Sequence, residues 1–125
     1  CVLRVRAGAR EALLVGDIGA AQGLRLAARH DDLRADVLLV PHHGGRTSSS
    51  APFIDAVQPR WALVQSGYRN RFGHPAPEVL ARYRALGVRV ADSPRCGAMH
   101  WSSARPDVVH CERESGARYW HHAPP

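Results

Sequence analysis

The sequence feature that most constrains the fold is a short apolar run without polar interruption. Residues 37–40 read Val-Leu-Leu-Val and end at Pro41. A strand with one side in water alternates apolar and polar residues, whereas an unbroken apolar run is typical of a strand buried on both faces, as in a parallel sheet covered by helices. The segment 36–41 therefore predicts an inner strand of a layered α/β structure.

The flanking sequence extends this prediction to the whole chain. Five segments carry strand patterns: residues 1–6, 11–16, 36–41, 60–65 and 88–91. Three segments place apolar residues at helical spacing: 19–30, 52–57 and 77–86. The turn at 7–10 predicts a hairpin between the first two strands, and residues 97–102 and 107–112 predict a terminal antiparallel hairpin. The alternation predicts one α/β unit with a mixed sheet, covering helices and a loosely packed tail over 119–125.

The composition restricts the possible folds of the chain more than its possible functions. The chain has 125 residues, is 45% hydrophobic and carries a net charge of +6, which suits one domain with a buried core. No apolar run is long enough to cross a membrane, so we expect a soluble chain without a targeting signal. Because Cys1 opens directly into a strand without an initiator methionine, we expect a piece of a larger protein. All basic side chains are arginines, which suit an anionic partner such as nucleic acid or equally form a solvated basic surface.

The three cysteines do not predict a zinc knuckle, because Cys1, Cys96 and Cys111 are too few and too widely spaced. Cys96 and Cys111 can face each other across the terminal hairpin, and in an oxidising compartment they could pair. The sequence leaves both states open.

Polar side chains follow three successive predicted strands. Asp17 follows the second strand, His42 and His43 follow the third, and a polar loop ending at His74 follows the fourth. If these strands are parallel, their carboxyl ends share the edge of the sheet where α/β proteins bind ligands. One carboxylate and three imidazoles suit a divalent transition metal, whose bound water would act as the nucleophile in a hydrolysis.

Each candidate has a structural alternative. Asp17 can cap the next helix, His74 can orient the loop before Pro75, and Asn70 can form a turn. One hydroxyl of residues 47–50 can cap the helix that follows. The two glycines beside the paired histidines favour a site, because they permit close approach of a ligand to the backbone. The remaining candidates are interpreted as surface residues: His100, His110, His121 and His122.

The motifs LLVGD, PHHG and NRFGHP, in this order, resemble one known arrangement. It is the carboxy-terminal half of the metallo-β-lactamase-fold domain in DNA-internalisation competence proteins of the ComEC type, and the resemblance runs from residue 2 to about residue 101. It implies that residues 1–125 form a partial metallo-β-lactamase-like domain, half of an αββα sandwich, without the amino-terminal half and the membrane region.

The resemblance also implies roles for individual residues. Asp17 would bridge two divalent ions, zinc or manganese, and His42 or His43 would complete the shell of one ion, with His43 preferred because glycine follows it. Asp17 and His74 would be catalytic. The two loops would hold substrate through six residues: Arg46, Thr47, Ser48, Ser49, Asn70 and His74. The implied partners are DNA and the membrane channel region of the same parent chain, which would lie in the bacterial inner membrane with this domain on the extracytoplasmic side.

The first metal motif of that fold, an HxHxDH-like or HxDxDH-like cluster, is absent from the sequence. A catalytic zinc needs three protein ligands, so we expect the isolated chain to bind metal weakly and to hydrolyse little. A half-sandwich also exposes an apolar sheet face, so we expect poor solubility or self-association. Two alternatives stay open: a soluble hydrolase of the same fold with another substrate, and a catalytically silent nucleic-acid-binding module.

Overall fold

Five strands form one sheet in the order of the chain. A computed structural model of the protein describes residues 1–29 and 31–119. The first two strands are antiparallel, and each later strand adds in parallel to the one before it. The strands are β1 (Leu3–Ala7), β2 (Arg10–Leu14), β3 (Val37–Leu39), β4 (Trp61–Val64) and β5 (Arg89–Asp92). The predicted mixed α/β sheet is confirmed.

Helices connect the parallel strands, as the alternating pattern predicts. The three crossover helices are α1 (Ala20–Arg29), α2 (Ala51–Val57) and α3 (Pro77–Ala85), and two single-turn helices follow, α4 (Ser93–Cys96) and α5 (Glu112–Ser115). Among the described residues, no helix has the length and apolar character needed to cross a membrane. The predicted end of α1 at His30 and most of the predicted tail, with His121 and His122, lie outside the described residues.

The apolar run of β3 is buried for the reason that its sequence predicts. Val37, Leu38 and Val40 are almost inaccessible to solvent. Leu38 is in register with Leu13 and Ala62 on the face that packs under the helices. Because successive side chains of a strand point to opposite faces, Val37 and Leu39 belong to the other face of the same sheet.

That second face is covered at one end only. The strand register aligns Leu3, Leu14, Leu39, Leu63 and Ala91 in one row across the sheet. At the β4–β5 end, a hairpin of β6 (Met99–Ser102) and β7 (Arg105–Cys111) packs on Leu63 and Ala91. At the β1 end, Leu3 is 55% exposed. The described residues therefore leave an apolar surface of this face uncovered at the side of the first strands.

A disulfide bond joins the terminal hairpin to the sheet. Cys96 lies at the end of α4, directly after β5, and Cys111 ends β7; their Cα atoms are 4.5 Å apart, within the range of protein disulfides. Both are buried against Ala91. The bond thus closes a loop with a sequence separation of 15 and fixes the hairpin over β5.

We expect that replacing both bonded cysteines, Cys96→Ala with Cys111→Ala, lowers the free energy of unfolding by about 3 kcal/mol, the chain-entropy value for a loop of ~15 residues. Denaturant unfolding of the oxidised protein and of the double variant measures the difference. Cys1→Ala is the matched control because Cys1 is exposed and unpaired. A double variant as stable as the control would contradict the role assigned to the bond.

Candidate functional site

The carboxyl ends of β2, β3 and β4 bring the predicted site residues to one edge of the sheet. Asp17 follows β2, the turn Pro41–Gly44 follows β3, and the loop containing His74 follows β4. The Nε2 atom of His43 lies 3.7 Å from Oδ1 of Asp17, and the rings of His42 and His74 meet edge to face with centroids 5.7 Å apart. The structure therefore assembles the carboxylate and the three imidazoles that strand order predicts.

The two histidines occupy an unusual backbone conformation. His42 and His43 have φ values of 50° and 54°, and Gly44 continues with φ 78°. Left-handed conformations cost non-glycine residues roughly 1–3 kcal/mol each and concentrate at functional sites. The turn is held by the amide of His42, which donates to the carbonyl of Gly16 (3.1 Å), and by that of Gly45, which donates back to His42 (2.8 Å). The end of β2 thus positions the turn after β3.

The hydrogen bonding of His43 assigns its tautomer. Its Nδ1 atom lies 2.7 Å from the carbonyl oxygen of Gln65. Because a carbonyl oxygen only accepts, Nδ1 carries a proton; in the neutral imidazole Nε2 then has the lone pair, and it lies on the side of Asp17. Metal-binding histidines typically donate their second ring nitrogen to a carbonyl or carboxylate in this way. The geometry therefore favours His43 over His42 as a ligand.

The histidine turn is in direct contact with the loop after β4. The amide of Ala76 donates to the carbonyl of Gly44 (2.9 Å). A Cβ atom on Gly44 would lie 2.7 Å from Cβ of Pro75, and one on Gly45 would lie 3.0 Å from Cε1 of His74. Gly44 is thus required by contact with a neighbouring loop, and Gly45 leaves little room for a side chain.

Asn70 holds the loop of His74 in shape. Its Nδ2 group donates to the carbonyls of Gly67 (2.9 Å) and His74 (2.5 Å), and its Oδ1 accepts the amide of His74 (3.0 Å). Both amide hydrogens are therefore used within the loop. This arrangement favours the turn-forming alternative for Asn70 over the predicted substrate contact.

A cavity of about 530 Å³ opens beside His43 and His74. Two polar atoms of residues that line it, Nδ1 of His74 and Oγ of Ser66, are buried and have no hydrogen-bond partner among the described residues. Buried polar atoms without a partner are rare in folded proteins. Ser93, which exchanges hydrogen bonds with the backbone of Ser66, was not anticipated, because no sequence pattern links it to the histidines.

The segment 46–49, which begins with Arg46 and continues with three hydroxyl side chains, lies partly on the surface and partly in the core. Arg46 and Thr47 are exposed, and Arg46 pairs with Glu78 at 3.0 Å. Ser48 and Ser49 are 1% and 2% exposed, which argues against the predicted substrate contacts for these two.

The hydroxyls of these two serines bond to protein atoms. Ser48 Oγ donates to the carbonyl of Gly45 (2.8 Å), and Ser49 Oγ accepts from Tyr83 (2.9 Å). Burial raises the pKa of Tyr83 to about 12, against the opposing effects of the Ser49 hydrogen bond and the Arg82 charge. The serines therefore anchor the segment to α3.

Neither helix-capping alternative is seen at the amides that begin α1 and α2. The amide of Gly19 is bonded to Gln22, and that of Ala20 to the carbonyl of Thr47, so these amides at the start of α1 do not use Asp17. Ser50 occupies the capping position of α2 but makes no side-chain capping bond. The exposed Asp17 carboxylate thus faces His43 without a capping role at either amide.

Asp17 and His43 are a carboxylate and an imidazole, two donor types that bind divalent transition metals. Asp17 and His43 place two donor atoms 3.7 Å apart, and the tautomer of His43 suits coordination. Among residues 1–29 and 31–119, no group of three or more histidine, cysteine, aspartate or glutamate side chains is arranged to hold a metal ion. A catalytic zinc takes three protein ligands, so the described residues by themselves do not complete a site.

We expect Gly44→Ala to destabilise the protein by more than Gly87→Ala. Both glycines have positive φ, so each alanine costs about 1–2 kcal/mol, but only the Cβ at position 44 overlaps another residue, Pro75; position 87 faces open space. Overlap in a packed site adds about 1–3 kcal/mol. Urea denaturation of the two variants compares them directly, and equal losses would show that the turn does not depend on this contact.

The chain is similar in sequence to segments of much longer proteins. No protein-family model matches it. It is 35% identical over 125 residues to Competence protein ComA of Neisseria gonorrhoeae, covering 99% of this chain and 18% of that protein. It is 30% identical over 100 residues to ComE operon protein 3 of Bacillus subtilis (80% and 13%). It is 34% identical over 124 residues to the uncharacterized protein YcaI of Escherichia coli (98% and 16%).

The chain thus spans less than a fifth of the length of these relatives. Because the similarity extends over nearly all of this chain, it includes the strand ends, the histidine turn and the loop after β4. The chain is homologous to one segment of competence proteins.

Proposed function

We propose that this chain is the carboxy-terminal half of a metal-dependent phosphodiesterase domain, of metallo-β-lactamase type, in a DNA-uptake competence protein. The observation that carries the proposal is the His43 imidazole, whose Nδ1 donates to Gln65 while Nε2 is directed to the side of Asp17. Contacts from two other strand ends maintain its strained backbone. Because strained residues concentrate at functional sites, this conformation is more typical of a ligand than of a surface histidine.

The proposal assigns a separate role to each site residue of this chain. Asp17 and His43 hold the metal, zinc or manganese, and further donors come from elsewhere in the parent protein. When bound, the metal supplies a water activated for attack on phosphorus. His74 lines the cavity, where its imidazole can contact a phosphate oxygen or move a proton. Arg46 is exposed and pairs with Glu78; its guanidinium can bind a phosphate oxygen in place of that carboxylate.

The location of the parent protein is part of the proposal. We infer a bacterial inner-membrane protein with this domain on the extracytoplasmic side, where DNA and the membrane channel region of the same chain are its partners. The Cys96–Cys111 bond supports this side, because disulfides persist in oxidising compartments and are rare in the cytosol. The uncovered apolar face near Leu3 supports packing against the other half of the domain.

The finding of only two donors favours a second candidate. A chain with Asp17 and His43 but no third ligand among its described residues could be a catalytically silent module that binds nucleic acid through its arginines. Such a module would bind DNA in a strongly salt-dependent manner and would not cleave it in any context.

We expect the isolated chain to bind Zn²⁺ or Mn²⁺ with a dissociation constant weaker than about 1 µM, because two donors are fewer than a stable site requires. Isothermal titration measures the affinity. His43→Ala and Asp17→Ala should each lower the residual binding, whereas Asp107→Ala is the matched control for Asp17→Ala, because the Asp107 carboxylate pairs with Arg60 and Arg89. Submicromolar binding by the isolated chain would overturn the half-site.

In the longer protein that carries this segment, we expect Asp17→Ala to lower metal-dependent DNA cleavage by at least about 100-fold, since it removes a ligand whose orienting partners alone are worth ~10–100-fold. His42→Ala should have a smaller effect. The readout is strand cleavage with and without chelator. Salt-sensitive DNA binding with no cleavage by the unmodified protein would instead support the silent module.

A further inference from the structure

Phe72 is a large apolar residue that is exposed in the loop after β4. Its ring is 66% exposed, and it borders the cavity that contains His43 and His74. Single exposed apolar residues are common, so exposure alone carries no meaning. The neighbours of the ring do: it stacks on the His74 imidazole with centroids 5.8 Å apart and planes inclined by 22°, and the Arg71 guanidinium lies 4.8 Å from its centre.

The same loop contains a second pair of this kind. Tyr68 is 41% exposed, and the guanidinium of Arg69 lies 5.3 Å from its ring centre. Both aromatic rings thus combine a flat apolar surface with an adjacent positive charge. The loop has a defined shape, because Asn70 ties Gly67 to His74 through three hydrogen bonds.

This chemistry fits a polyanion with flat, unpaired rings. Proteins that bind single strands combine arginine or lysine contacts to phosphates with aromatic side chains on which bases stack, and guanidinium planes serve the same purpose. A base inside a duplex is already stacked on its neighbours and does not offer its face to a side chain. A lipid surface would call for a broader apolar patch than two separated rings.

We propose that Phe72, together with Arg71, stacks one unpaired base of a single-stranded nucleic acid next to the phosphodiester held at the His43–His74 cavity. Phe72 is then a positioning residue: the stacked base sets which phosphate reaches the site. The proposal rests on the proposed function in one respect, the nucleic-acid nature of the substrate, and is independent of whether a metal completes the centre.

The test is the affinity of the full 125-residue chain for two strands of equal charge at low salt. One is a fluorescent oligothymidylate of about twelve nucleotides, within the range of roughly 4–16 that single-strand-binding folds occupy; the other is the same backbone without bases. Unmodified protein, Phe72→Ala and Phe72→Trp are compared by fluorescence anisotropy. Val108→Ala, an exposed apolar residue on the hairpin, is the matched control.

We expect Phe72→Ala to weaken binding of the oligothymidylate by about 5- to 150-fold, the equivalent of ~1–3 kcal/mol per stacked base. Binding of the abasic strand should not change, Phe72→Trp should retain affinity, and Val108→Ala should behave as the unmodified chain. Thermal unfolding of Phe72→Ala should match that of the control, because both side chains are exposed.

Three outcomes overturn the inference. Equal losses on both strands would make the effect of Phe72 structural or electrostatic; an unchanged affinity for the oligothymidylate would leave no stacking; and binding of neither strand by the unmodified chain would remove the nucleic-acid substrate and the inference together. Phe72-dependent binding without metal-dependent cleavage in the longer protein would leave the inference standing and overturn only the proposed phosphodiesterase.

Discussion

The site depends on one close contact, where the turn after β3 meets the loop after β4. Gly44 approaches Pro75 so closely that a methyl group would overlap it, and the amide of Ala76 bonds to the Gly44 carbonyl. Together with the bond from His42 to Gly16, this contact joins three strand ends into one rigid edge. These contacts hold His42 and His43 in the left-handed conformation despite its cost in free energy.

Once that edge is formed, each histidine has a different environment. His43 donates to Gln65 and presents its other nitrogen on the side of Asp17, while His42 turns its ring to His74. His74 in turn supports Phe72. The imidazoles therefore connect the Asp17–His43 pair, a cavity and an exposed aromatic loop.

The described residues cover the second face of the sheet at one end and leave it exposed at the other. The terminal hairpin, joined by the Cys96–Cys111 bond, covers the second sheet face over Leu63 and Ala91. Near Leu3 the same face is open. Among the described residues, one carboxylate and one imidazole form the pair at the sheet edge, and the hairpin covers one end of the second face. The longer relatives extend well beyond the segment that matches this chain.

The sequence by itself determined the mixed sheet, its helices and the edge where polar residues collect, because hydrophobic periodicity and strand ends are local properties. It placed Asp17, His43 and His74 at that edge from strand order alone. Only the tertiary structure decided what each side chain does there. Ser48 and Ser49 are in the core because Tyr83 and the Gly45 carbonyl bond to them, and Asn70 is used within its own loop. These roles depend on partners distant in sequence or on loop geometry, which no spacing of residue types encodes.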